Sequence, residues 1–116
     1  MGKMSQHSLI KLAMRYFTRR GYTVDREFDK EDDAPARKFD FLVRKGSEVY
    51  PVWVKDWNRT VGVNVVISVD KASRDIGLFN PILVANKFSE HARAYANRKG
   101  IRLVAKSDIL REVRAL

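Results

Sequence analysis

The chain has 116 residues, of which 23 are Lys or Arg and 14 are Asp or Glu, so its formal net charge is +9. This length predicts a single domain over residues 1–116, and the 45% hydrophobic content excludes a disordered chain. No apolar run is long enough to span a bilayer and no secretory signal is visible, so we expect a cytoplasmic protein. Cysteine is absent, which excludes disulfides and thiolate zinc sites.

The positive charge is the strongest bulk signal in the composition. A small basic domain with a pI near 10.1 is typical of proteins that bind a polyanion, most often nucleic acid. The alternative is a soluble basic protein from a host with a charge-rich proteome, because 32% charged residues without cysteine also fit an archaeal or thermophilic source. His7 and His91 fall in different predicted helices, so no histidine metal site is expected.

The chain begins with a predicted helix and a predicted strand. Apolar residues at helical spacing predict a helix over residues 5–20, with Ser5 as its cap and Gly21 as its stop. Alternating apolar and polar residues predict a strand over 22–28. An acidic loop over 29–36 follows it.

Two further strands joined by a tight turn come next. We predict a strand over 39–43, a turn at 45–47 and a third strand over 48–57. Pro51 has no amide hydrogen, so the third strand cannot be paired on both sides at that position. Side-chain alternation predicts two shared faces: Phe39, Phe41 and Val43 lie opposite Asp40 and Leu42, and Trp53, Lys55 and Trp57 lie together.

Residues 63–76 fit two structures. The β-branched run over 63–69 is typical of a strand. Apolar residues at helical spacing favour a helix instead, with Asp70 among the charged residues on the face away from the core. We therefore predict a helix.

The remaining elements alternate between strands and helices. A short apolar strand over 81–85 precedes a helix that runs from its cap at Ser89 to Gly100. A buried strand over 101–105 and a helix from Ser107 complete the chain. The order α-β-β-β-α-β-α-β-α predicts an α/β fold, a mixed β-sheet flanked by helices.

Short motifs spread over most of the chain form a recognisable set: Arg20-Gly21-Tyr22, Phe39-Asp40-Phe41, Val54-Lys55-Asp56-Trp57, Val61-Gly62, the 81–85 strand, Phe88-Ser89, Ala92 with Ala96, and Gly100-Ile101. Together they resemble the PD-(D/E)XK restriction-endonuclease-like superfamily. Within it, the Mrr-type restriction endonucleases and the archaeal Holliday-junction resolvases are the most similar branches. The resemblance implies a restriction-endonuclease-like fold, a DNA substrate, and cleavage that needs Mg²⁺ or Mn²⁺.

The resemblance also implies a site on the second and third strands. In the family, an acid at the position of Asp40 and another at position 53 hold the ion, and the lysine at position 55 orients or activates water. Asp40 and Lys55 match, but Trp53 has no oxygen that can bind a metal. The first helix also lacks the glutamate of resolvase-like members, because residues 8–11 read SLIK. One carboxylate beside one lysine is a poor magnesium site.

Two interpretations of the missing acid remain open. In some relatives the acid has moved to the helix after the third strand, where Asp70 would join Asp40 and Lys55 as a catalytic residue. In the other interpretation Asp70 is a solvated helix residue, Asp40 pairs with a neighbouring arginine, and Lys55 is a surface lysine.

Basic residues around the hairpin are the candidates for contacts to DNA phosphates, which carry no sequence information. Dispersed charges without a groove-reading helix favour recognition of backbone or shape over base readout. The candidate residues are Lys11, Arg15 and Arg19 on the first helix, Arg37 and Lys38 before the second strand, and Arg59 after the third.

Three functions follow from these residues. The first is a DNA-binding protein of the nuclease fold whose metal-dependent hydrolysis is weakened or lost because Trp53 replaces the second acid. The second is an active Mg²⁺-dependent endonuclease that uses Asp40, Lys55 and Asp70. The third is a structural or regulatory subunit that pairs with an active partner through Trp53 and Trp57. The resemblance also makes a homodimer an expectation.

Overall fold

The computed structural model describes residues 4–25 and 39–114, and the side chains of residues 9–25 and 39–113. Over this part of the chain the elements follow one another as α1 (Met4–Arg19), β1 (Thr23–Asp25), β2 (Phe41–Lys45), β3 (Glu48–Lys55), α2 (Val63–Asp75), β4 (Ile82–Ala85), α3 (Glu90–Lys99), β5 (Arg102–Ala105) and α4 (Lys106–Arg114). The predicted order and the α/β class are confirmed. Within these ranges no helix has both the length and the apolarity needed to cross a bilayer.

The five strands form one mixed sheet in the order β1-β2-β3-β4-β5. Strands β1, β2 and β3 pair antiparallel, whereas β3, β4 and β5 pair parallel. Parallel neighbours need crossover connections, and α2 and α3 provide them. Strand β3 therefore joins the antiparallel half of the sheet to the parallel half.

Pro51 lies at the point of β3 where the second neighbour is still absent. It pairs with Leu42 of β2, and pairing with β4 begins one residue later at Val52 and Ile82. The missing amide hydrogen therefore removes no bond to β4, and the prediction about one-sided pairing is confirmed.

Helices cover both faces of the sheet, so the molecule has two apolar layers. Helix α1 packs beside α4 on one face, and α2 packs beside α3 on the other. The α1–α4 layer buries Phe17, Phe41, Val52 and Ile109. The opposite layer is built by side chains from β3, α2, β4 and α3, and by a bridged pair between these elements, Val61 and Phe88: Trp53, Val61, Val66, Val69, Leu83, Ala85, Phe88, Ala92 and Ala96.

Helix α1 has the predicted buried stripe and the predicted end. Leu9, Ala13 and Phe17 are buried. After the helix, Gly21 adopts a φ of 93° and the next amide donates to the Phe17 carbonyl, which is typical of a helix C-terminus. The predicted start is wrong, because the helix is already formed at Met4 and Ser5 lies inside it.

Two further predictions need correction. Phe39 does not share a face with Phe41; it packs against Trp53 in the α2–α3 layer, because β2 begins only at Phe41 and strand alternation does not extend back to it. Asp70 is not on a solvated face of α2 but is 7% exposed. Helix α2 contacts α3 as well as the sheet, so its buried arc is wider than the apolar stripe. The strand alternative for 63–69 is also wrong.

Candidate functional site

The β2–β3 hairpin brings three residues of the sequence pattern together. Phe41 pairs with Val52 and both point into the α1–α4 layer. Asp40 comes directly before β2 and is tied to β3 by its backbone amide and its carboxylate. Trp53 packs in the α2–α3 layer, and Lys55 lies two residues beyond it on the same face of β3. The hairpin therefore brings an acid next to positions 53 and 55 of β3.

Asp40 is fixed to the backbone of β3. Its Oδ2 accepts a hydrogen bond of 2.7 Å from the Val54 amide, and its own amide donates to the Val52 carbonyl at 2.8 Å. The amide of Val54 lies between positions 53 and 55, so this bond holds the carboxylate of Asp40 beside both. A bond from an amide to an ionised carboxylate is stronger than one between neutral groups.

Trp53 stands where the resemblance led us to expect a second acid. Its side chain is 4% exposed and packs in the α2–α3 layer with Val66 and Leu83. Phe39 meets the indole edge-on, with ring centroids 6.0 Å apart. Trp53 is therefore a core residue, and its surface is not available to a partner protein.

The residues described around Asp40 do not fit Mg²⁺ or Mn²⁺. Both ions prefer several oxygen ligands, and carboxylates supply the charge that offsets ion dehydration. Here Asp40 offers a single carboxylate whose Oδ2 already accepts the Val54 amide, Trp53 offers none, and Lys55 brings a positive charge. Among the parts of the chain that are described, no three acidic or histidine side chains are close enough to hold a metal ion.

The end of β3 presents cations beside an indole. The Nζ atom of Lys55 lies 5.6 Å from the ring centroid of Trp57, and the Cζ atom of Arg59 lies 4.4 Å from it. Arg59 is exposed, and Trp57 and Lys55 are partly exposed. Both cations are within the range of a cation–π contact, so Trp57 orders them at the surface.

A groove of about 800 Å³ separates the end of β3 from α2. We call it the β3–α2 groove. Its lining residues are Trp53, Lys55 and Trp57 from the strand side, and Asn64, Val65, Ser68, Val69, Lys71, Ala72, Asp75 and Ile76 from the helix side. The groove therefore combines indole and aliphatic surface with lysines and hydrogen-bonding side chains.

The residues that α2 contributes to this groove were not among the predicted site residues. Asn64, Ser68, Lys71 and Asp75 recur at intervals of three or four residues, so they share one helix face. This polar stripe was visible in the sequence. Its position opposite Trp57 depends on how α2 packs against the sheet, which local spacing does not show.

Asn86 fixes the backbone that carries Trp57. Asn86 comes directly after β4, and Asp56 comes directly after β3. Because Lys55 and Ala85 are paired in the sheet, the two residues that follow them are neighbours. The Asn86 side-chain amide donates to the Trp57 carbonyl. The Asp56 Oδ2 and Asn86 Oδ1 atoms are buried and have no hydrogen-bond partner within the described ranges.

Asp70, the predicted displaced acid, belongs to the contact between α2 and α3. Its Oδ2 accepts a hydrogen bond of 3.1 Å from the Tyr95 hydroxyl and lies 3.5 Å from a guanidinium nitrogen of Arg74. Asp70 does not line the β3–α2 groove with Lys55. Burial, followed by the hydrogen bond and the charge of Asp70, raises the pKa of Tyr95 above its usual value.

The predicted DNA contacts lie on different sides of the sheet. Lys11, Arg15 and Arg19 are exposed on α1, which covers the face opposite the β3–α2 groove. Arg59 lies on the groove side, over Trp57. Arg37 and Lys38 lie outside the described residues.

Comparison with known proteins gives one family and one shared fold. The sequence model of the family Mrr_cat, restriction endonuclease, matches residues 1–113. No curated protein matches the chain. The crystal structure of the protein of unknown function AF1548 superposes with a TM-score of 0.68 at 17% identity, over 86% of this chain and 62% of that one. A repair endonuclease from Pyrococcus abyssi gives a TM-score of 0.46 at 19% identity, over 58% of this chain and 31% of that one.

These matches differ in what they establish. The likeness to AF1548 shows the fold alone, and this chain spans less than two thirds of that protein's length. The family match covers nearly all of the sequence and agrees with the mixed sheet and its flanking helices. It confirms the resemblance to the restriction-endonuclease-like superfamily. The chain belongs to the Mrr_cat restriction endonuclease family.

Proposed function

We propose that this chain binds DNA on the side of the sheet that carries Lys55 and Arg59, and that its phosphodiester hydrolysis is weakened or lost. The observation that carries the proposal is the buried indole of Trp53 at the second acid position. The lysine and the first acid remain, so the surface that meets DNA in the family is kept while an ion ligand is lost. The net charge of +9 supports a polyanionic partner.

In this proposal Lys55 contacts a phosphate instead of activating water. Arg59 beside it supplies a second phosphate contact, and Arg37 and Lys38 are further candidates because they precede Asp40 in the chain. Lys11, Arg15 and Arg19 rank below these residues as candidates for phosphate contacts, because α1 covers the opposite face of the sheet. Contacts of this kind recognise the DNA backbone or its shape, and their strength falls with salt.

The direct test combines binding and cleavage. Purified protein is mixed with labelled duplex, single strand and four-way junction, with Mg²⁺ or Mn²⁺, beside the variant Lys55→Ala. We expect retarded DNA without cleavage, and weaker retardation by the variant. Cleavage by the wild-type chain that disappears in Lys55→Ala would contradict the proposal and favour a metal-dependent endonuclease with a displaced acid. Asp70 would then be the next residue to substitute.

A second test restores the acid. Trp53→Glu supplies a carboxylate beside Asp40, and Trp53→Gln is the matched control with the same size and no charge. Both variants should lose about 3–5 kcal/mol of stability, because a large core side chain is removed. Mn²⁺ should raise the melting temperature of Trp53→Glu only. Equal responses of the two variants to Mn²⁺ would show that position 53 no longer belongs to a metal site.

The proposal also includes a cytoplasmic location, which fits a DNA-binding role. Fractionation of the source cells tests this location. Self-association, which the family resemblance implies, is tested by light scattering of the purified chain with and without DNA.

A further inference from the structure

We propose that the β3–α2 groove binds an unstacked nucleobase on Trp57, so that the chain prefers single-stranded or distorted DNA to intact duplex. The inference rests on the proposed DNA binding and names the form of DNA that the site takes. It concerns a ligand site made by Trp57 and α2.

The size and lining of the groove suit a base. Its volume of about 800 Å³ lies within the range of small-ligand sites, and indole and aliphatic groups form much of its wall. A nucleobase has a flat apolar face and hydrogen-bonding edges. Trp57 offers a flat surface for the face, while Asn64 and Ser68 offer hydrogen-bonding groups for the edges. The Asn86 side chain holds the Trp57 backbone, so the indole is already positioned before a base binds.

The charges around the groove suit the phosphates that flank a base. Lys55 and Arg59 lie over or beside the Trp57 ring, and Lys71 lines the helix side. An exposed cation–π contact is weaker than the stacking of a base on an aromatic ring. The two flexible side chains can therefore leave the ring to a base and pair with the neighbouring phosphates. Binding of a base therefore replaces two weak cation–π contacts with one base–indole stack and with charge-assisted hydrogen bonds to phosphates.

Intact duplex cannot use the groove without cost. Its bases are already stacked and paired, and extruding one requires free energy that a single strand does not lose. Phosphate contacts alone are similar for the two forms of DNA. Stacking of a base on Trp57 is therefore the interaction that makes the affinity for single strand higher than the affinity for duplex.

The test uses the intrinsic fluorescence of the chain. Both tryptophans line the groove, but Trp53 is buried, whereas Trp57 is partly exposed and offers its ring to a base. Stacking of a base quenches an indole. We expect a short oligothymidylate to quench the emission of the wild-type chain, and to bind more tightly than duplex of the same length at the same salt concentration.

Three variants assign the effect to the groove. Trp57→Leu should lower the affinity for oligothymidylate roughly 5- to 160-fold, which is the contribution of one stacked base, and should lower duplex affinity by less. Trp57→Phe keeps an aromatic face and should recover most of the affinity. Phe79→Leu is the matched control, because Phe79 is an exposed aromatic residue (68%) that does not line the groove, and it should bind like the wild type.

The outcomes separate this inference from the function on which it rests. Binding of DNA with no quenching, or with equal losses for both forms in Trp57→Leu, would overturn the base site and leave DNA binding intact. Thymidine monophosphate that quenches as strongly as the oligomer at equal concentration would make the ligand a free nucleotide and overturn the nucleic-acid assignment. Absence of binding to any DNA would overturn the proposed function itself. Quenching of the wild-type chain needs no substitution, so the test stands even if Trp57→Leu fails to fold.

Discussion

Asp40, Trp53 and Lys55 lie close together at the β2–β3 hairpin, and each makes a contact within the fold. The carboxylate of Asp40 accepts the Val54 amide, the indole of Trp53 fills the α2–α3 layer, and Lys55 lies beside Trp57. A metal-dependent site would use Asp40 as a ligand of the ion and Lys55 to orient or activate water. At the scale of single residues, all three side chains therefore have contacts within the fold that do not depend on a metal ion.

The hydrogen bond of Asp40 predicts a structural role that is measurable without activity. Asp40→Ala leaves the Val54 amide without this acceptor and should cost about 1–2 kcal/mol of stability. Asp40→Asn keeps an oxygen acceptor without the charge and should cost less. Urea unfolding at neutral pH measures both. Wild-type stability of Asp40→Ala would show that the bond to Val54 contributes nothing to the fold.

At the scale of elements, the polar contact between α2 and α3 explains why Asp70 is buried. The acid lies between Arg74 on its own helix and the hydroxyl of Tyr95 on the facing helix. A buried carboxylate needs such partners, because an unpaired charge is costly away from water. The hydrogen bond between Asp70 and Tyr95 therefore links the two crossover helices, α2 and α3.

The raised pKa of Tyr95 gives this contact a pH dependence. Burial first, and then Asp70, keep the Tyr95 hydroxyl protonated above its usual pKa of 10.0. The folded state then holds the proton more tightly than the unfolded state, so the stabilisation is complete below pH 10 and is lost as the pH rises further. Tyr95→Phe lacks this proton and should lose less stability above pH 10 than the wild type. Thermal unfolding at pH 8 and pH 11 compares them, and parallel losses in both proteins would contradict the assignment.

Local patterns predicted most elements but not the contacts between them. The helical spacing of Val65, Val69, Ala72 and Ile76 is enough to predict α2, and the turn at 45–47 is enough to join β2 to β3. The burial of Asp70 depends on α3, which lies far along the sequence from it. Phe39 was misplaced because strand alternation was extended beyond the first paired residue, Phe41.

The candidate site was predictable to the same extent. Trp53 and Lys55 share a face of β3 that alternation already predicts, whereas Asp40 is placed by its hydrogen bonds to the Val52 and Val54 backbone. The groove needs the packing of α2 against the end of β3, and the interhelical role of Asp70 needs α3. Non-local packing of this kind leaves no mark in the spacing of either segment.

At the scale of the whole molecule, two layers of helices share a strongly positive charge. Exposed basic residues lie on α1 and at the groove, on opposite sides of one mixed sheet. Total charge attracts a polyanion to the molecule as a whole. In the proposed DNA binding, the side of contact is the one whose basic side chains release counterions from the phosphates.

The salt dependence of binding identifies that side. Lys55→Gln and Arg59→Gln should each reduce the slope of log affinity against log salt concentration by about 0.9 for duplex and about 0.7 for single strand. Lys11→Gln on α1 is the comparison on the opposite face, and we expect a smaller change. Titrations at three salt concentrations measure the slopes. A larger change in Lys11→Gln than in Lys55→Gln would place the DNA on the α1 side.

The burial of Trp53 also constrains how descendants of this sequence can evolve. Loss of an acid from an exposed position is reversible by one substitution, because the neighbouring side chains do not depend on it. Here the indole supports Val66, Leu83 and Phe39, so a returning acid disrupts the core at once. A carboxylate at position 53 would therefore be tolerated only after compensating substitutions in those neighbours. A change from an acid to tryptophan at this position is for that reason far easier than the reverse change.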